Sequence, residues 1–189
     1  GSKLSLLEFI EEVILKEVEK KENLILCDIF SGTGVVGNYF KEKGYSVISN
    51  DIQYFSYALA KAIVENNGEI KFENLKKINI DDPFIYLNNI KGRKGFIYKN
   101  YCLEGTKNNE FQRLYFTDYN AKKIDAIRLK IKKWRKDGLI NEKEYFYLIA
   151  SLVEASDKIA NTASVYEAFL KDIKKTAQKE LEMKPLELN

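Results

Sequence analysis

Histidine is absent from the 189 residues, and this absence excludes more than any other. It removes Ser-His-Asp and Cys-His nucleophiles, imidazole acid–base catalysis and most zinc or iron sites. Cysteine is scarce as well. Cys27 and Cys102 are too few for a disulfide framework or a four-thiolate metal site. Cys27 stands in an apolar run, where a buried free thiol is the expectation. The only prolines, Pro83 and Pro185, are not adjacent. No apolar run is long enough to span a bilayer, and no charged-then-apolar leader opens the chain. Cytoplasmic residence, away from any membrane, is the expectation. Any chemistry must rest on carboxylates, amides, backbone groups or a cofactor.

What is present suits a folded protein, with 45% hydrophobic and 31% charged residues. The formal charge of +3 hides a split. Residues 1–85 hold ten Lys and Arg against fourteen Asp and Glu, and residues 86–189 hold twenty-one against fourteen. The second part is therefore the better candidate to meet a polyanion, although solvated lysine-rich helices have the same composition.

Apolar spacing orders the first part. "LSLLEFIEEVILKEVEK" (4–20) carries Leu7, Ile10, Val13, Ile14 and Val18 at helical steps. "NLILCDIF" (23–30) is nearly continuous and fits a parallel strand buried on both faces. A glycine turn, a helix ended by Gly44, a strand over 45–51 and a helix over 55–68 follow. This is the opening of a parallel α/β sheet. Beyond about residue 85 the pattern becomes helical. "FIYKNYCLEG" is read as a short strand, but 118–138 is a helix with Ile124, Ile127, Ile131 and Trp134 as its apolar stripe. Asn141 and Glu144 form a capping box for the next helix. A third helix is expected over about 164–179, and "LEMKPLEL" reads as a strand or its lead-in. The expected units are 1–85 and 86–189, with no Gly/Ser linker between them.

"DIFSGTGVVGNYF" (28–40) contains GxGxxG at Gly32, Gly34 and Gly37, with Asp51 ending the next strand. Glycines there let backbone approach a ligand, and the acid can accept from ribose hydroxyls. A ligand-free tight turn, NAD, FAD and S-adenosylmethionine (AdoMet) all fit that much. Asp28, four residues before the first glycine, separates them. A carboxylate at the strand end would repel a pyrophosphate, but it suits a phosphate-free ligand with an ammonium group, as AdoMet is. Phe30 can pack on its apolar surface.

The stretch, followed by "ISNDI", resembles the D-x-F-x-G-x-G and N-D-I motifs of adenine-specific DNA methyltransferases of the Dam-like class. "GSKLSLLEFI" is similar to that family's N-terminal Y-I-G-S-K-x-x-L-L-x-x-I, without its leading aromatic residue. The resemblance implies an α/β fold, namely a partial Rossmann-like AdoMet-dependent methyltransferase unit followed by a mainly helical target-recognition unit. It assigns Lys3, Asp28, Phe30, Ser31, Gly32, Thr33, Gly34, Asp51 and Ile52 to AdoMet. It implies methyl transfer to the exocyclic amine of adenine in double-stranded DNA, with no metal. A cognate restriction endonuclease of the same system is the further partner it implies.

"FQRLYFTDYNAKKIDAIRLKI", "EYFYLIASLVEASDKIANTASVYEAFLK" and "KPLEL" look like the target-recognition insert of these enzymes. Arg128, Lys132 and Arg135 lie roughly on one helix face, suited to phosphates. Arg113 and Tyr115 offer a cation and a stacking ring, and Asn161 and Tyr166 offer uncharged donors. No D-P-P-Y, the family's catalytic motif, occurs in these residues. "DDPF" (81–84) reads better as a helix-starting Asp-Pro turn. The expectation is a fragment with little turnover of its own. A catalytically inert DNA-binding or assembly module is the alternative, and a nicotinamide-dependent oxidoreductase is a more distant one.

Overall fold

The computed structural model describes residues 3–18, 24–163 and 168–188. The chain forms two compact units, Gly1–Ile70 with Leu186–Asn189, and Lys71–Pro185. The first division falls between Ile70 and Lys71 rather than near residue 85. The stretch from 71 to 85, read with the α/β part, belongs to the helical unit.

In the first unit a short 3₁₀ turn, Leu4–Leu6, leads into α1 (Leu7–Glu17). Then come β1 (Ile25–Asp28), α2 (Val35–Glu42), β2 (Ser46–Ser49) and α3 (Tyr54–Ile63). β1 and β2 pair in parallel, with Ile25 opposite Ser46 and Asp28 opposite Ser49. Parallel neighbours need a crossover, and α2 supplies it. Leu7, Val36 and Phe40 form the core, with Ile10, Ile14, Leu26 and Val47 packed around them. Phe40 is fully buried and meets Tyr39 and Tyr45 edge-on at 5.4 and 5.1 Å. Val13, placed on the apolar stripe by its spacing, is exposed instead.

β1 is not buried on both faces. Leu26 and Asp28 point inward, whereas Ile25 is 67% exposed and Cys27 is exposed beside it. Both core helices lie against the Leu26 and Val47 side, so the other face of the pair is bare. The expected buried thiol is therefore corrected. A continuous apolar run signals burial on both faces only where both faces are covered.

The second unit holds α4 (Glu73–Lys76), α5 (Pro83–Asn88), α6 (Phe96–Tyr101), α7 (Leu103–Thr106), α8 (Asp118–Lys136) and α9 (Glu142–Lys158). Asp82 caps α5, its Oδ1 accepting from the Phe84 and Ile85 N–H groups, and Pro83 takes the first position. Gly138 at φ +70° ends α8, and Asn141 and Glu144 close a complete capping box on α9. Ile124, Ile127, Ile131 and Trp134 are all buried.

Two expectations fail here. "FIYKNYCLEG" is helical, forming α6 and α7. Asp125 of α8 caps α6 across space, accepting from Ile97 N–H at 3.1 Å and Tyr98 N–H at 2.8 Å. Gly95 is obligatory at that junction, because a Cβ there would lie 2.6 Å from the Asp125 carboxyl carbon. The expected helix over 164–179 is not formed by its described residues. They run as turns and an isolated antiparallel bridge between Thr162 and Phe169, and 181–188 carries no strand. Asparagines meet this backbone. Asn120 exchanges two bonds with Lys179 O and Leu181 N–H, and Asn88 does the same with Met183.

Candidate cofactor site and nucleic-acid interface

In the first unit the turn after β1 is tied to the end of β2. Ser31 N–H donates to Asn50 O at 3.0 Å, and Asn50 N–H donates to Asp28 O at 2.9 Å. The Asn50 side chain donates to Ile29 O at 3.1 Å. Asp51 accepts from Gly32 N–H at 2.8 Å and from Gln53 N–H at 2.9 Å. These amides, Gln53 foremost and Gly32 next, hold its carboxyl below the usual carboxylate range. Expected as a ribose acceptor, Asp51 thus also fastens the glycine turn to the strand beside it.

The glycines divide their work. Gly32 and Gly34 have φ of +53° and +78°, backbone that disfavours a Cβ. Gly37 has ordinary φ but no room, since a Cβ would meet Ser49 Oγ at 3.1 Å and Val47 Cγ1 at 3.2 Å. It lets α2 press onto β2. Ser31 is buried, and Thr33 is exposed.

Asp28 lies at the mouth of this turn with its side chain 9% exposed, and Lys3 Nζ is 3.9 Å from it. Lys3 also donates to Phe30 O at 3.3 Å. Gly1 and Ser2, the other residues of the N-terminal resemblance, lie outside the described residues. Asp28 Oδ2 is buried with no hydrogen-bond partner among the described residues. A buried carboxylate oxygen without a donor is costly unless a ligand supplies one. Phe30 and Ile52 are 75% and 97% exposed, leaving apolar surface on both segments. The structure therefore gathers Lys3, Asp28, Phe30, the glycine turn and Asp51. Asn50 was not singled out in the sequence, although it stands inside the quoted N-D-I.

The second unit carries the residues expected at DNA. Arg113 is exposed, with Nη1 3.4 Å from Asn100 O. Tyr115 packs between Tyr101, edge-on at 5.5 Å, and Phe169, tilted at 5.0 Å, so its ring already has aromatic neighbours. Arg128 is seated by the fully buried Asp125 at 3.2 Å. Lys132 is exposed and makes no ion pair among the described residues, and Arg135 donates to Ile140 O at 3.4 Å. Asn161 is wholly buried. Its Nδ2 donates to Leu114 O and Leu170 O, and its Oδ1 accepts from Lys174 N–H. As placed it is a staple for the C-terminal backbone and presents nothing to a nucleic acid. Tyr166 lies outside the described residues. Asp125 was missed, its local signal being only an i,i+3 acid–arginine pair.

Parallel strands joined by a helix, a glycine turn and an acid after the second strand have the form of a βαβ nucleotide-cofactor unit. The particular family follows from comparison, since residues 1–189 match the D12 class N6 adenine-specific DNA methyltransferases, and the chain belongs to that family. It is 40% identical over 186 residues to the type II methyltransferase M.NlaIII of Neisseria lactamica, covering 98% of this chain and 52% of that protein. It is 44% identical over 191 residues to M.FokI of Planomicrobium okeanokoites, covering 100% of this chain and 29% of that protein. Against the modification methylase StsI of Streptococcus sanguinis identity is 40%, covering 97% and 27%. The chain spans about half, or less, of these relatives. No solved structure matches it.

Proposed function

We propose that this chain carries the AdoMet-binding and DNA-recognition parts of an adenine-specific DNA methyltransferase with a Rossmann-like cofactor unit. The observation that carries the reading is the partnerless, buried Oδ2 of Asp28 at the mouth of the glycine turn. An ammonium donor there satisfies the oxygen, whereas a pyrophosphate would be repelled. Lys3, Asp28, Phe30, Ser31, Gly32, Thr33, Gly34, Asp51 and Ile52 would hold the cofactor. When bound, AdoMet supplies a methyl group on a sulfonium, electrophilic enough for direct transfer to an amine.

The chain's own residues bind and orient. Asp28 takes the cationic end, Asp51 accepts from hydroxyls, and Phe30 and Ile52 present apolar surface. The basic second unit meets double-stranded DNA, with Arg113, Arg128, Lys132 and Arg135 as phosphate contacts. Alone, the 189 residues hold no D-P-P-Y and would turn over weakly or not at all. Calorimetry of the chain with AdoMet tests the reading. Binding that disappears in Asp28→Ala supports it, and binding unaltered in that variant overturns the assigned site.

A further inference from the structure

One strongly basic segment is left over from these assignments. "KGRKG" (91–95) places Lys91, Arg93 and Lys94 within five residues, and all three are exposed. None makes an ion pair among the described residues.

The loop is not a loose tether for these charges, because α8 holds its backbone at successive points. Lys123 Nζ donates to Asn88 O and Ile90 O just before it. Arg93 N–H donates to Lys122 O at 2.9 Å in its middle. Asp125 receives the Ile97 and Tyr98 amides just after it. Both glycines lie tight on the helix, where a Cβ on Gly92 would sit 3.0 Å from Lys122 Cβ and one on Gly95 would strike Asp125. The same turns of α8 add cations. Lys94 Nζ and Lys122 Nζ are each 5.1 Å from the Tyr98 ring centroid, and the Asp125 that caps α6 also seats Arg128.

Two ammoniums sharing one ring lie within about a Debye length, ~10 Å at 0.1 M salt, and repel each other. A polyanion relieves that repulsion and releases its own counterions. The loop's three exposed cations, on a backbone held at fixed points by α8, suit the closely spaced charges of phosphate oxygens. We propose that the 91–95 loop, with Lys122 and Arg128 of α8, is a preorganised clamp for the sugar-phosphate backbone of duplex DNA. This rests on the DNA substrate proposed above, and it adds the 91–95 loop and Lys122 to the Arg128 already assigned there.

The test is fluorescence anisotropy of the 189-residue chain on a labelled duplex of about 20 base pairs, two helical turns. Salt is varied from about 50 to 200 mM, because each phosphate contact contributes about −0.9 to the slope of log K on log salt. In the triple variant Lys91→Gln, Arg93→Gln, Lys94→Gln the slope should shrink by about 2 to 3. Its melting temperature and AdoMet binding should match the parent's. Single variants Arg93→Gln and Lys94→Gln, each expected to lose about one unit of slope, carry the test if the triple variant melts early. An unchanged slope in these variants overturns the clamp while leaving the DNA reading intact. An equal loss on replacing the exposed Lys143, Lys171 and Lys175 by Gln also overturns it, because only bulk charge would then matter. A chain that binds AdoMet but no DNA, or RNA in place of DNA, overturns the DNA reading and the clamp together.

Discussion

Single atoms decide much of the first unit's behaviour. Gly37 has no strain to relieve and no space to give, so Gly37→Ala must push Ser49 and Val47 aside. A loss of about 1–3 kcal/mol is expected for such overpacking, read as a lower denaturant midpoint at unchanged slope. Asp51 makes a pH prediction. Its folded carboxyl is held below the usual range, mainly by the Gln53 and Gly32 amides. The stability it contributes is therefore complete above the ordinary carboxylate pKa, and it is lost as pH falls through the lowered one. Asp51→Asn should be less stable than the parent at about pH 7, and the gap should close as pH drops below about 4. Two chemical-denaturation curves check it. The thiols differ as sharply. Cys27 is exposed, whereas Cys102 is fully buried and burial, with Asp118 beside it, pushes its pKa up to about 12. An aromatic disulfide reagent should titrate one thiol quickly in the native chain and the second only on unfolding.

At the scale of elements, α6 and the C-terminal segment owe their form to side chains far away in sequence. "FIYKNY" has the β-branched and aromatic content of a strand, but Asp125 caps its first amides and α8 covers Tyr98 and Cys102. Propensity yields to packing here. The segment after residue 168 is held in place by Asn88, Asn120 and Asn161, whose amides bond its backbone. Asn120 is 1% exposed, so Asn120→Ala orphans Lys179 O and Leu181 N–H together. That should cost about 1–3 kcal/mol for each group left unpaired. Hydrogen exchange at the Leu181 amide should accelerate relative to α9.

For the whole molecule, the charge split follows the two compact units. Lys71–Pro185 holds twenty-four Lys and Arg against sixteen Asp and Glu, while residues 1–70 hold seven against eleven. The proposed DNA-contacting residues and the proposed cofactor residues thus fall on different units. The cofactor reading has a stability consequence. A ligand at about 100 times its Kd stabilises the folded state by about 2.7 kcal/mol. AdoMet at that excess should raise the melting temperature of the parent chain and leave Asp28→Ala unmoved. A shift of equal size in both would place the ligand elsewhere.

The residues alone determined the parallel α/β opening, the caps at Asp82 and Asn141, the apolar stripe of α8 and the cofactor-type turn. Each is a local pattern, in which helical spacing, a capping side chain or a glycine that tolerates positive φ acts within a few positions. The cofactor candidates other than Lys3 could be named from sequence because they fall in two short motifs at the ends of adjacent strands. Tertiary structure alone decided that Asn161 is a buried staple, that Tyr115 packs between two other rings, that "FIYKNY" is a helix and that Cys27 is bare. It also aligned the 91–95 loop with α8. These outcomes depend on partners 9 to 54 residues away or on which sheet face a helix covers. Local spacing carries no record of either, because burial and hydrogen-bond partners are settled only when distant segments meet.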